Sequence, residues 1–99
     1  MNNFEIIITD EAQRCLDALA MDHSLERVYK AVSKAIRLMS ANLRHPSLAT
    51  HEFQSKKGPN GEKIFQSYAQ NNTPAAYRIF WYYGPNKTEI TIFSITPHP

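Results

Sequence analysis

One cysteine, three glycines and no apolar run near the about 20 residues that a membrane-spanning helix needs set the first bounds on this chain. Cys15 has no partner for an internal disulfide, so a small core stapled by disulfides is excluded. It falls on the apolar stripe of a predicted helix and is expected to be a buried thiol in a reducing cytoplasm. The scarcity of glycine leaves no phosphate-cradling loop, and the two Gly-Pro-Asn segments, residues 58 to 60 and 84 to 86, are turn signals instead. His23, His45, His51 and His98 have no regular ligand spacing, so neither a metal nor a cofactor is expected. The start, Met1-Asn-Asn-Phe-Glu-Ile-Ile-Ile, lacks the basic region and cleavage site of a secretion signal, and a cytoplasmic protein with no membrane contact is expected.

Charge of one sign is also scarce, with 11 basic against 9 acidic residues and a net charge of +2. The distribution is uneven, however. Residues 1 to 33 carry three basic and six acidic side chains, whereas residues 34 to 67 carry six basic and two acidic. The middle of the chain therefore suits an anionic partner. What is present is an ordinary globular composition, 42% hydrophobic over 99 residues, enough for one domain spanning residues 1 to 99 with a single core.

Residues 4 to 8, Phe-Glu-Ile-Ile-Ile, are β-branched and read as a short buried strand. Thr9 is a predicted N-cap, followed by Asp10 and Glu11 where the helix dipole favours negative charge. Ala12, Cys15, Leu16 and Leu19 then recur at helical spacing. After a break at residues 21 to 23, Ser24 is a second predicted N-cap. Leu25, Val28, Val32, Ala35, Ile36, Met39 and Leu43 mark one face of a longer helix, which Pro46 should stop near Arg44. Residues 49 to 55 and 62 to 70 read as strands around the turn Gly58-Pro-Asn-Gly61. The aromatic segment Ala76-Tyr-Arg-Ile-Phe-Trp-Tyr-Tyr-Gly84 and the segment Glu89-Ile-Thr-Ile-Phe-Ser-Ile-Thr96 form a second hairpin. The expected fold class is α+β: an N-terminal strand, a helical hairpin and a four-stranded, mainly antiparallel meander, in the order β-α-α-β-β-β-β.

Strand alternation puts Tyr77, Ile79, Trp81 and Tyr83 on one face and Arg78, Phe80 and Tyr82 on the other. On the last strand, strict alternation separates Ile90, Ile92, Ser94 and Thr96 from Thr91, Phe93 and Ile95. One face must cover the helices. The other is a partly apolar surface bearing an arginine, the kind of face that holds a ligand or a partner.

A leading strand, a helical hairpin, Pro46-Ser-Leu before the second strand, an arginine in Tyr77-Arg-Ile-Phe-Trp-Tyr82 and a last strand closing on Pro97-His98-Pro99 together resemble the RelE/ParE superfamily of bacterial toxins, which includes plasmid-stabilisation proteins of toxin–antitoxin systems. The resemblance covers essentially the whole chain. It implies one of two activities. The first is metal-independent, ribosome-dependent cleavage of mRNA by attack of a ribose 2′-hydroxyl on the adjacent phosphate. The second is a non-catalytic role, either as a DNA gyrase poison or as a solitary non-toxic protein acting through the exposed sheet face. An antitoxin protein is the implied partner, with the ribosome and mRNA as targets of the first activity.

By the same resemblance Arg78 stabilises the pentavalent phosphate, and His98 supplies an acid or base. His45 matches a histidine that some members place after the second helix. Lys56 and Lys57 stand where other members carry basic residues for RNA. Tyr68 and Tyr82 suit stacking on a base or donation to phosphate, and His51 is a further candidate on the second strand.

Overall fold

Glu5–Ile8 forms a short strand (β1), and the chain leaves it through Thr9, whose hydroxyl accepts from the Ala12 amide at 3.3 Å. That bond satisfies one of the orphan amides at the start of the helix Asp10–Met21 (α1), as the sequence predicts. The computed structural model describes residues 3–98. The next break is held by Asp22 rather than Ser24. The Asp22 carboxylate accepts both the Ser24 hydroxyl at 2.6 Å and the Ser24 amide at 2.9 Å, capping a 3₁₀ turn, His23–Leu25. These bonds, the hydroxyl first, hold the Asp22 carboxyl below the usual range. The second helix, Glu26–Ala41 (α2), follows with no side-chain cap.

It ends earlier than Pro46 alone would require. Asn42 turns its side chain back to accept from the Arg44 amide at 3.0 Å, a local bond that competes with another helical turn. A second 3₁₀ turn, Pro46–Leu48, buries Leu48 and leads into four strands: His51–Lys57 (β2), Lys63–Tyr68 (β3), Tyr77–Tyr83 (β4) and Glu89–Pro97 (β5).

The strands form one sheet in the order β1-β5-β4-β3-β2. β2 to β5 make an antiparallel meander, and β1 returns beside β5 in parallel, Ile6 opposite Ile90 and Ile8 opposite Ile92. The helices span that parallel crossover and cover one sheet face. Ala12 and Leu19 of α1 and Val32, Ala35 and Met39 of α2 pack with Ile79, Trp81, Ile90, Ile92 and Ile95. Trp81 is buried with its indole N–H donating to Ser67 Oγ at 2.9 Å, and the Ser67 hydroxyl also meets Thr50 Oγ1 at 2.6 Å. This polar knot of the core is thus paired.

The last strand departs from strict alternation. Phe80 pairs with Ser94, but Trp81 pairs with Ile92, so Phe93 is an extra residue on β5. This bulge puts Ile95 opposite Ile79 on the helix side and swings Ser94 and Thr96 to the face of Phe80 and Arg78. The physical reason is burial: without the extra residue, Ile95 would face outward and two hydroxyls would face the core.

Candidate functional site

The face turned away from the helices carries His51, Gln66, Tyr68, Arg78, Phe80, Ser94 and Thr96 in adjoining cross-strand rows: His51 is paired with Gln66, Tyr68 with Arg78, Arg78 with Thr96, and Phe80 with Ser94. At its centre Arg78 Nη1 donates to Gln66 Oε1 at 2.9 Å, and the guanidinium carbon lies 4.9 Å from the centre of the Phe80 ring. Arginine has donors only, so the Gln66 oxygen must face it and the Gln66 NH₂ must face away. That NH₂ meets His51 Nε2 at 2.7 Å, which makes Nε2 an acceptor and puts the ring proton on Nδ1. Nδ1 lies 3.0 Å from the Ala49 carbonyl and donates to it. The result is one directed chain of hydrogen bonds from Arg78 through Gln66 and His51 to the backbone. Ala49, which ends the chain, sits at φ +45°, a left-handed conformation costing an alanine about 1–2 kcal/mol.

Arg78 is not fully satisfied. Its Nε is buried and has no hydrogen-bond partner among the described residues. A buried donor left without an acceptor costs about 1–3 kcal/mol, and a ligand oxygen would remove that cost.

Two recesses flank this centre. On one side, Tyr68, Gln70, Asn71, Asn72, Thr73 and His98 line a cleft of about 530 Å³. The residues between β3 and β4 form its wall, with Asn72 and Ala75 both at positive φ. Tyr68 stacks at 6.1 Å on His51, and the His98 amide donates to Ala76 O at 2.9 Å, holding the chain after β5 beside that wall. On the other side Phe53, Phe80, Phe93, Lys56 and Ser94 line a groove of about 230 Å³. It adjoins an apolar recess of about 300 Å³ that includes Tyr82, Ile64, Lys56, Lys57 and Phe93. The Phe53 and Phe80 rings meet edge to face at 5.1 Å, and Tyr82 lies 5.8 Å from Phe93.

The candidate residues therefore fall into three places. Arg78, His51 and Tyr68 stand together, and His98 shares the cleft with Tyr68. The bulge at Phe93 makes this possible, because it shifts the end of β5 onto the Arg78 face. Tyr82, Lys56 and Lys57 stand at the other end of that face, with Lys57 4.0 Å from Glu52. His45 lies apart, its Nδ1 accepting from the Ser47 amide at 3.2 Å and meeting the Ser47 hydroxyl at 2.8 Å, which makes it the cap of the Pro46–Leu48 turn.

Gln66, which links Arg78 to His51, is absent from the sequence-based candidates, as are Thr96, Gln70 and Asn71. For Gln66 a signal existed: it is the polar position between Ile64 and Tyr68 on the face shared by alternate residues. It is only 6% exposed, and a buried amide needs partners.

A leading strand beside the last one, a helical hairpin over one face and an antiparallel meander with an open second face define a RelE-like fold. A chain in the crystal structure of an archaeal RelE–RelB complex from Pyrococcus horikoshii OT3 superposes with a TM-score of 0.65, covering 98% of this chain and 96% of that one. At 10% identity the likeness is one of fold. Compared by sequence, the chain matches no protein-family model and no curated protein. Among the described residues no helix is long and apolar enough to cross a membrane.

Proposed function

We propose that the protein is the toxin-type partner of a toxin–antitoxin pair and acts in the cytoplasm as an endoribonuclease on ribosome-bound mRNA. The observation that carries this reading is Arg78: a guanidinium fixed by Gln66 on an open sheet face, with one buried donor that has no acceptor among the described residues. Such a group suits a phosphate oxygen. In the proposed reaction the 2′-hydroxyl loses its proton and attacks the adjacent phosphorus. The bond to the 5′-oxygen breaks, and that oxygen takes up a proton, leaving a cyclic phosphate and a free 5′-hydroxyl.

Arg78 neutralises the charge that grows on the phosphate oxygens. His98 and Tyr68, which line one cleft, are the proposed proton-exchanging groups. His51 fixes Gln66 and through it Arg78. Lys56, Lys57 and Tyr82 contact the RNA chain at the far end of the face, and the chemistry does not use His45. The assembly of the Pyrococcus protein with RelB supports an antitoxin as the protein's partner.

A specific observation favours a second reading. The groove among Phe53, Phe80 and Phe93 is an apolar surface suited to a protein side chain, as a non-catalytic binder of gyrase or another protein would need. Induced expression in a bacterial host, with primer extension on a translated reporter mRNA, separates the two. Cleavage and growth arrest that disappear in a folded Arg78→Ala/His98→Ala double variant are expected. Arrest without cleavage would transfer the protein to the binding reading.

A further inference from the structure

The cleft beside Tyr68 has a wall with an ordered polarity. The side-chain oxygen of Gln70 accepts from the Tyr77 amide at 3.1 Å, so the group left over on that residue is its NH₂ donor. Asn71 is held the opposite way round: its NH₂ donates to the Ser47 carbonyl at 2.9 Å, which leaves its oxygen as an acceptor. Adjacent residues thus bring one donor and one acceptor to a cleft whose lining contains an aromatic ring and, among the described residues, no acidic side chain. The cleft holds about 530 Å³, and Tyr68 stands directly opposite Arg78 in the β3–β4 register. Paired side chains on neighbouring strands lie about 5 Å apart at Cβ.

We propose that this cleft is a nucleobase-recognition subsite, in which one unpaired base of an RNA strand lies against Tyr68 and has its polar edge read by Gln70 and Asn71. The proposal rests on the RNA-cleaving reading above and adds to it the residues that choose where the cut falls. Each nucleobase carries a donor and an acceptor side by side on its pairing edge, and single-stranded RNA is read by stacking on aromatic rings together with hydrogen bonds to that edge. Tyr68 and Arg78 are cross-strand neighbours, so a base on Tyr68 and a phosphate at Arg78 would belong to one short stretch of RNA. Neither amide is free to rotate without losing its backbone partner, so the donor and acceptor cannot exchange places to suit a different base. Asn72 and Ala75, both in left-handed conformations, shape the same wall. Strain of that kind concentrates at ligand clamps.

The Gln70→Glu variant tests this. A carboxylate there still accepts from the Tyr77 amide but offers a second acceptor where the NH₂ donor stood. Cleavage positions are mapped on a pool of reporter mRNAs that differ at the nucleotide beside the cut. Wild-type protein is expected to favour one or two bases. Gln70→Glu is expected to keep cutting while the ratio of preferred to disfavoured base falls about tenfold or inverts, the size of one hydrogen bond. Gln70→Met, which offers neither group, is the second variant and should relax the preference without inverting it.

Wild-type cleavage with no base preference, or an unchanged preference in both variants, would overturn the subsite and leave the nuclease reading standing. Failure of the wild type to cut any RNA would overturn the nuclease reading and this proposal together.

Discussion

Along β4, Ile79 and Trp81 point into the helices while Arg78 and Phe80, their immediate neighbours, point away from them, and the two sets meet different chemistry. Beneath the helices the packing is mostly apolar, and its polar knot, Trp81 with Ser67 and Thr50, is paired. On the open face a buried glutamine joins an arginine to a histidine, and one arginine donor is left over. The same strands therefore separate two tasks by alternation, adjusted on β5 by the bulge at Phe93. One face is finished by folding, and the other keeps a buried arginine donor with no partner among the described residues.

Substitutions on the two faces should separate accordingly. The largest loss of stability is expected from Trp81→Ala, which empties the centre of the helix-covered face and should lower the unfolding free energy by about 3–5 kcal/mol, read from the denaturant midpoint. Arg78→Ala should cost only about 1–2 kcal/mol of stability by the same assay, yet reduce RNA cleavage about 100- to 1,000-fold, the effect of removing one oriented donor from a developing anion. An equal loss of stability in the two variants would erase the distinction between the faces.

Ser67→Ala strips the Trp81 indole of its acceptor and is expected to destabilise by about 1–3 kcal/mol, with cleavage by the folded fraction unchanged. Gln66→Leu keeps the buried volume but cuts the link between Arg78 and His51, and its expected signature is spectroscopic. Imidazole nitrogen NMR should show His51 protonated at Nδ1 in the wild type, and the variant, which keeps the Ala49 acceptor but loses the Gln66 donor, should shift the Nε2 signal while the proton stays on Nδ1. A wild-type spectrum with the proton on Nε2 would contradict the directed chain itself.

The features legible in the sequence were those with a period or a local cap. Thr9 was readable as a cap because a small hydroxyl preceding two acidic residues has one dominant use at a helix start. The two faces of β4 followed from strict alternation. Two neighbouring helix boundaries were less legible, because Asp22 and Asn42 each make bonds two residues away that compete with the helix, and such bonds leave no periodic trace. The bulge at Phe93 was also invisible, since an extra residue shows itself only in the pairing with Phe80 and Trp81. That single residue matters for the site, because it decides which face receives Thr96 and the chain leading to His98. Gln66 and Asn71 were missed for a related reason: an amide declares its role only through its partners, and those lie 12 to 24 residues away.

The most direct test of the open face is an amide and side-chain NMR titration of the wild-type protein with a short single-stranded RNA whose 2′-hydroxyl at the cleavage position is replaced by hydrogen, so that it binds without being cut. The expected result is a set of shifts confined to Gln66, Tyr68, Arg78, Thr96 and their strand neighbours, with the Arg78 Nε–H signal moving most as it gains an acceptor. Shifts confined to α1 and α2, or an Arg78 Nε–H that stays in place at saturation, would contradict the assignment of the open face as the RNA-binding surface.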